Sequence, residues 1–369
     1  MCFYNDVDDE ILKPNNGLQY KEGDIIFISK EDDGRFKIKK YQDLIIKNLD
    51  NRFKWIEFQG VVNDKLIIGL GNQSVFETGI TLHHTYGIPY IPGSALKGVL
   101  RNYIIQEYFK DCSDECYEKC NKECEKNANK DALFIKIFGG KNDKGKNVQG
   151  KVIFMDSFSH NYSIKRDIIT PHHKNYYNNK GEKENILPLD SDEPTPIQFL
   201  VMKKSGDTKL KFEIKLAIDK SIFNNIIQEN ESINNTILEK YKNKTIYKFV
   251  VENLIEALNF HGIGAKTSVG YGYFQEITKE ECFKQIVNNE KRREKEILEE
   301  KENKKLMKMN NSEKKLYLVK KISDCEKRKE ELKKLFANRE QEELEQTEVE
   351  ELAKLIKKIW NIRVNGDIK

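Results

Sequence analysis

The sequence predicts an α+β fold: a ferredoxin-like (RRM-like) unit with insertions, followed by a C-terminal helical module. Three observations carry this. Between residues 51 and 277 the apolar patterns run strand, helix, strand, long loop, strands, helix, strand, the βαββαβ order with additions. A glycine-dense loop, Gly262 to Gly272, follows the last helix of that unit. Beyond Gly272 there is no glycine until Gly366 and no proline at all, and the Lys/Glu-rich tail carries sparse apolar positions that suit solvated helices.

Residues 1–50 form an N-terminal extension with two short apolar runs, Ile25 to Ile28 and Ile45-Ile46, which suit an added strand or a docked arm. Ile56 to Leu70 reads as a strand pair turning at Asn63-Asp64. Tyr86 to Gly93 is a rigid extended stretch, and Ser94 is an N-cap type ahead of the helical face Leu96, Val99, Leu100, Tyr103 and Ile104. Residues 111–129 are a charged insertion holding four cysteines. Ala132 to Phe138 resumes an apolar helix that Gly139-Gly140 stops, and Val152 to Met155 reads as a strand. Residues 160–196 are polar and rich in turn residues, too long for a plain connection. Ile197 to Met202 and Leu210 to Ala217 read as a second strand pair, Ile246 to Leu258 as an amphipathic helix, and Tyr271 to Phe274 as a closing strand. In the module from 278 to 369, Leu316 to Phe336 suits one helix and Leu344 to Trp360 another, with a break at Asn310-Asn311-Ser312.

Charged residues are 34% of the 369, yet the net charge is only +4. The tail from Thr278 holds 25 Lys and Arg against 21 Asp and Glu, so the remainder is neutral. Any polyanion surface must therefore come from local segregation of charge. No apolar run is long enough to span a bilayer and no basic-then-apolar leader is present, which predicts a cytoplasmic protein with no membrane partner. Seven cysteines, an odd number with four clustered, suit reduced thiols. Cys112, Cys116, Cys120 and Cys124 recur every four residues. On one helix they span about 18 Å, too far for a single tetrahedral ion to collect, so no metal or cofactor is expected.

The loop His261 to Phe274 is the most specific chemical signal. Glycines permit positive φ and close backbone approach, while Lys266, Thr267 and Ser268 offer a charge and two hydroxyls to a phosphate chain. It is not a nucleotide P-loop. Ala265 stands where the glycine before the lysine belongs, Phe260 where the first glycine belongs, and the loop runs helix to strand. A plain helix cap at Gly262 explains part of it. The helix start at Gly93 and Ser94, with Lys97 and Arg101 on one face, is a second candidate for phosphate. The segment 160–196 interleaves Lys165, Arg166, His172, His173 and Lys174 with Tyr176 and Tyr177, a mixture that grips phosphates and stacks bases. No acid or nucleophile beside those histidines marks catalysis. His83-His84 lacks further ligands and reads as structural.

Several blocks together resemble the RAMP superfamily of CRISPR proteins. The glycine loop Gly262 to Gly272 resembles the family's hallmark, and the run Gly69 to Arg101 is similar to the sixth-subunit family of the type III-B effector, the Cmr complex. Asp156, Asp167 to His172, Tyr176-Tyr177 and Pro194 to Ile197 also fit that pattern. The resemblance implies a non-catalytic subunit that binds guide RNA near its 3′ end, faces target RNA, assembles with other RAMP subunits, and carries an inserted hairpin, the thumb, at 160–196. It further implies that Gly262, Gly264, Lys266, Thr267, Ser268, Gly270, Tyr271 and Gly272, with Gly93, Ser94, Lys97 and Arg101, line the RNA path, and that His172, Tyr176 and Tyr177 act at the duplex. The cysteine insertion, residues 1–50 and the tail exceed the pattern. Two rivals are a metal-independent repeat endoribonuclease of the same fold and a scaffold acting through its tail.

Overall fold

The computed structural model describes residues 19–21, 24–26, 34–71, 79–110, 117–141, 145–159, 162–170, 173, 176, 187, 189–191, 193–194, 196–204, 209–228, 232, 234–275, 278–309, 311–322, 325–337, 350 and 354–355. The chain divides into two compact units, residues 1–290 and 291–369.

The first unit is organised around a three-stranded antiparallel sheet of β3 (Phe53–Val61), β12 (Lys211–Asp219) and β8 (Val152–Phe154), in the order β3-β12-β8. Phe53 pairs with Asp219, Val61 with Lys211, and Leu216 with Phe154. A single antiparallel bridge, Val62 to Phe274, extends this sheet on the β3 side. The expected closing strand over Tyr271 to Phe274 is therefore one bridge, because the preceding turns hold that stretch to another strand.

Strand alternation sorts the two faces of the sheet. Ile56, Phe58, Phe212, Ile214, Leu216 and Ile218 are all buried and share one core with α2 (Gly93–Tyr108) and α7 (Ile246–Glu256). The odd-numbered residues Phe53, Trp55, Ile153, Met155 and Ala217 cluster instead with Ile45, Ile46 and Leu49 of α1 (Gly34–Leu49). Lys215, 1% exposed, lies on this second face and donates to Gln42 Oε1 at 3.1 Å, with Glu213 3.3 Å away. Gln42 Nε2 in turn donates to the Asp156 carbonyl at 2.8 Å. A buried ammonium needs such partners.

The second sheet runs β1 (Gln19–Lys21), β2 (Asp24–Ile26), β10 (Ser163–Ile169), β11 (Ile197–Lys203), β4 (Lys65–Leu66). The N-terminal extension thus supplies both an added strand pair and a docked helix. Two expected strand pairs are corrected. The strands either side of Asn63-Asp64 do not pair with each other: β3 pairs β12, while β4 pairs β11. Nor do β11 and β12 pair, because β11 is taken by β10 along seven residues and β12 is central in the other sheet. At both places the chain crosses between sheets, which apolar alternation cannot reveal.

Smaller pieces complete this unit: β5 (Tyr90–Ile91) with β9 (Ser157–Phe158), β6 (Gly139–Lys141) with β7 (Asn147–Gln149), and helices α3 (Tyr117–Ala128), α4 (Ala132–Phe138), α5 (Lys220–Phe223) and α6 (Asn235–Tyr241). Cys124 on α3 packs into the core, Cys120 lies on the same helix, and Cys112 and Cys116 fall outside the described residues.

Helix α8 (Lys279–Met307) starts in the first unit, with Cys282 buried and its thiol pushed up to about 12 by burial. Its side chains serve β3: Gln59 N–H donates to Gln285 Oε1 at 2.8 Å, and Asn289 Nδ2 donates to the Glu57 carbonyl at 2.9 Å. In the second unit, α9 (Asn311–Lys321) and α10 (Cys325–Ala337) divide the single helix expected over 316–336; the break after Met307 falls next to Asn310-Asn311-Ser312. The helix expected over 344–360 lies outside the described residues, apart from 350 and 354–355. Among the described residues no helix is long and apolar enough to cross a membrane.

Candidate nucleic-acid interface

The glycine loop is pinned from inside and open outside. Helix α7 ends in one π-turn, Ala257–His261, and Gly262 caps it at φ 69°, donating to the Ala257 carbonyl at 3.1 Å. Ile263 N–H then donates to Gly272 O (2.9 Å), Ala265 N–H to Ile67 O (2.9 Å) and Gly272 N–H to Lys65 O (2.7 Å). Both legs of the loop are therefore stitched to each other and to the segment Lys65–Ile67. Two glycines are obligatory. A Cβ on Gly264 (φ +93°) would lie 2.1 Å from the Ile67 carbonyl oxygen, and one on Gly272 (φ +74°) 1.9 Å from that of Ile263. At Gly270 (φ +94°) nothing lies within 4 Å.

Between the legs, Thr267–Val269 form a short 3-10 turn, with Ser268, Val269 and Gly270 exposed. Lys266 takes φ 60°, a left-handed conformation that costs a non-glycine residue about 1–2 kcal/mol. Its ammonium lies over the Phe199 ring of β11, 5.1 Å from the centroid, a cation–π distance. The loop thus presents a cation and two hydroxyl-bearing residues on an arch whose Val269, Gly270 and Tyr271 amides are bonded within the loop itself.

An ion-pair cluster fastens the arch to the second sheet. Tyr271 OH donates to Asp167 Oδ2 at 2.7 Å, and Lys65 Nζ donates to the same oxygen at 2.6 Å. Burial pulls the Asp167 carboxyl up, but hydrogen bonds from Lys65, Tyr271 and Ile168 N–H outweigh it and hold it below the ordinary range. The bond to Asp167 raises Lys65, and burial followed by the same carboxylate raises Tyr271. Asp167 is thereby charged and the tyrosine neutral at pH 7. Lys65 escaped the sequence reading because a lysine in a two-residue strand carries no pattern.

The start of α2 has a different environment. The helix begins at Gly93 with Pro92 as its N-cap, so Ser94 sits exposed within the first turn and is not the cap. Gly93 N–H donates to Asp156 Oδ1 at 2.7 Å. A Cβ on Gly93 would strike the Phe154 carbonyl at 2.2 Å. The carboxylate of Asp156, in the link between β8 and β9, therefore already serves this helix N-terminus, where like charge opposes a phosphate. Lys97 Nζ donates to Phe138 O at 2.9 Å, and Arg101 binds Glu125 at 2.8 Å while lying 5.3 Å over the Phe134 ring. These two cations hold α3 and α4 in place.

On the hairpin β10–β11, Lys165 is half-buried and Arg166 exposed; further along, His173 is half-buried and Tyr176 43% exposed. His172 and Tyr177 lie outside the described residues. His83 stacks on Tyr86 at 5.2 Å. Among the described residues no group of His, Cys, Asp and Glu is arranged to hold a metal ion.

Comparison with known proteins gives a consistent picture. The family model described as the RAMP superfamily matches residues 61–275. The CRISPR system Cmr subunit Cmr6 of Pyrococcus furiosus is 27% identical over 271 residues, covering 63% of this chain and 71% of that protein. The corresponding subunit of Saccharolobus solfataricus is 24% identical over 248 residues, covering 65% of this chain and 64% of that one. Among solved structures, a type III-B Cmr-beta complex bound to cognate target RNA contains a chain at 21% identity and TM-score 0.39, covering 65% of this chain and 64% of that chain. The crystal structure of Cmr6 from Pyrococcus furiosus matches at 25% identity and TM-score 0.35, covering 61% and 98%.

Proposed function

The chain belongs to the RAMP superfamily, and from that premise we propose that it is a non-catalytic guide-RNA-binding subunit of a type III CRISPR ribonucleoprotein effector. It acts near the 3′ end of the guide, in antiviral defence, beside target RNA and other RAMP subunits. Its homology to Cmr6 subunits of the type III-B complex supports this. We read the first sheet as the ferredoxin-like unit: the spatial order Phe274 bridge, β3, β12, β8, with α2 and α7 on one face, supports that reading. The hairpin β10–β11 is the stem of the thumb.

The observation that carries the proposal is the arch Lys266–Gly270, pinned at both legs and open outward. Lys266, Thr267 and Ser268 hold consecutive phosphates, and Gly270 leaves room for the strand. Arg166 and Tyr176 are a second contact line. Such contacts read phosphate rather than base, so guides of any sequence are accepted. The test is the RNA content of the purified effector carrying Lys266→Ala with Thr267→Ala. Reduced guide retention is expected; unchanged RNA content refutes the assignment of the arch.

A further inference from the structure

Helix α1 lies before the region shared with the family, residues 61–275, and it closes a cavity that the arch does not use. The cavity is about 310 Å³, between α1, the turn at 83–86 and the stretch after β8. Tyr41 and Gln42 of α1, His83 and Tyr86 of the turn, and Asp156 and Phe158 line it. Tyr41 is 65% exposed and Tyr86 37% exposed. Thr85 N–H donates to His83 Nδ1 at 3.3 Å, which leaves the ring proton on Nε2 as a donor. Among the described residues of the lining, Asp156 is the only carboxylate, and no lysine or arginine joins it. One of its oxygens serves Gly93, and a carboxylate has capacity for further donors. Aromatic walls, one carboxylate and no cation in the lining disfavour a phosphate inside. They suit a flat group whose edge carries N–H donors.

The helix that closes the cavity is basic: α1 carries five basic residues against one acidic, and Lys39 and Lys40 on it are exposed. A basic element beside an aromatic-lined pocket is the arrangement that tracks a phosphate backbone while receiving a base. We propose that this cavity takes one unstacked, amino-bearing nucleobase of a single-stranded RNA, stacked against Tyr41 and Tyr86 and hydrogen-bonded to Asp156, with the neighbouring backbone drawn by the positive charge of α1. The inference rests on the RNA-binding reading above but uses a separate surface.

The test measures binding of the full chain to a fluorescein-labelled ten-nucleotide oligoadenylate and to an abasic strand of the same length. Oligoadenylate binds about tenfold more tightly than the abasic strand, and Tyr41→Ala removes that difference while leaving abasic binding and the circular dichroism spectrum unchanged. Tyr86→Leu does the same, which guards against a local effect of one substitution. Equal affinity for the two strands overturns the assignment of the pocket to a nucleobase. Binding of neither strand overturns the RNA reading itself, so the two failures are distinct.

Discussion

The start of α2 and the glycine loop look alike in sequence: each sets glycine and small hydroxyl residues beside a lysine. Their surroundings differ. At α2 the structure supplies Asp156 to Gly93, the Phe138 carbonyl to Lys97 and Glu125 to Arg101. At the arch, the inner glycines meet backbone while Ser268 and Gly270 face outward. A helix N-terminus or a basic face attracts an external anion only when the protein has not already supplied one. The sequence motif names the residues able to bind; the tertiary neighbours decide which remain available.

The strongest break of this contrast is Gly272→Val. Its Cβ enters the Ile263 carbonyl at a positive φ, so we expect a loss of at least about 3 kcal/mol, read as a lower melting temperature. A tolerated valine would mean that the legs are not stitched. Next come paired substitutions. Lys97→Met costs about 1 kcal/mol through the orphaned Phe138 carbonyl, with no change in the salt dependence of RNA affinity. Lys266→Met keeps the same backbone strain and loses the cation–π contact on Phe199, a cost of about 0.5 kcal/mol, and it lowers the slope of log affinity against log salt by roughly 0.7. A reversed pattern would exchange the roles of the two lysines. The smallest effect concerns the ion-pair cluster. Because the folded Asp167 pKa is depressed, its contribution is complete above the unfolded value and is lost as pH falls through the folded one. The melting-temperature gap between the wild type and Asp167→Asn is therefore widest near neutrality and closes below about pH 4.

Much of the framework was legible. Periodic apolar spacing marked α2, α4 and α7, and Gly262 marked the end of α7 by its cap chemistry. Helix α1 was missed because its buried stripe, Ile38, Gln42, Ile45, Ile46 and Leu49, carries a polar residue at a core position. Gln42 is buried there because Lys215 and the Asp156 carbonyl engage its amide, a relation across 173 and 114 residues that no local window contains. The same blindness hid the occupied state of α2: Asp156 lies 63 residues from the amide it accepts. The pinning of the loop, by contrast, was foreshadowed by the number of its glycines.

The contacts from Gln285 and Asn289 to β3 bear on how this protein can be cut. A fragment trimmed at Thr278 would keep every strand of the first sheet yet bare the Gln59 amide and Glu57 carbonyl on an outer strand nine residues long. Such a fringe recruits other chains into intermolecular ladders. Shortened versions prepared for crystallisation should accordingly run through Glu290, and those ending earlier should be recovered as aggregates.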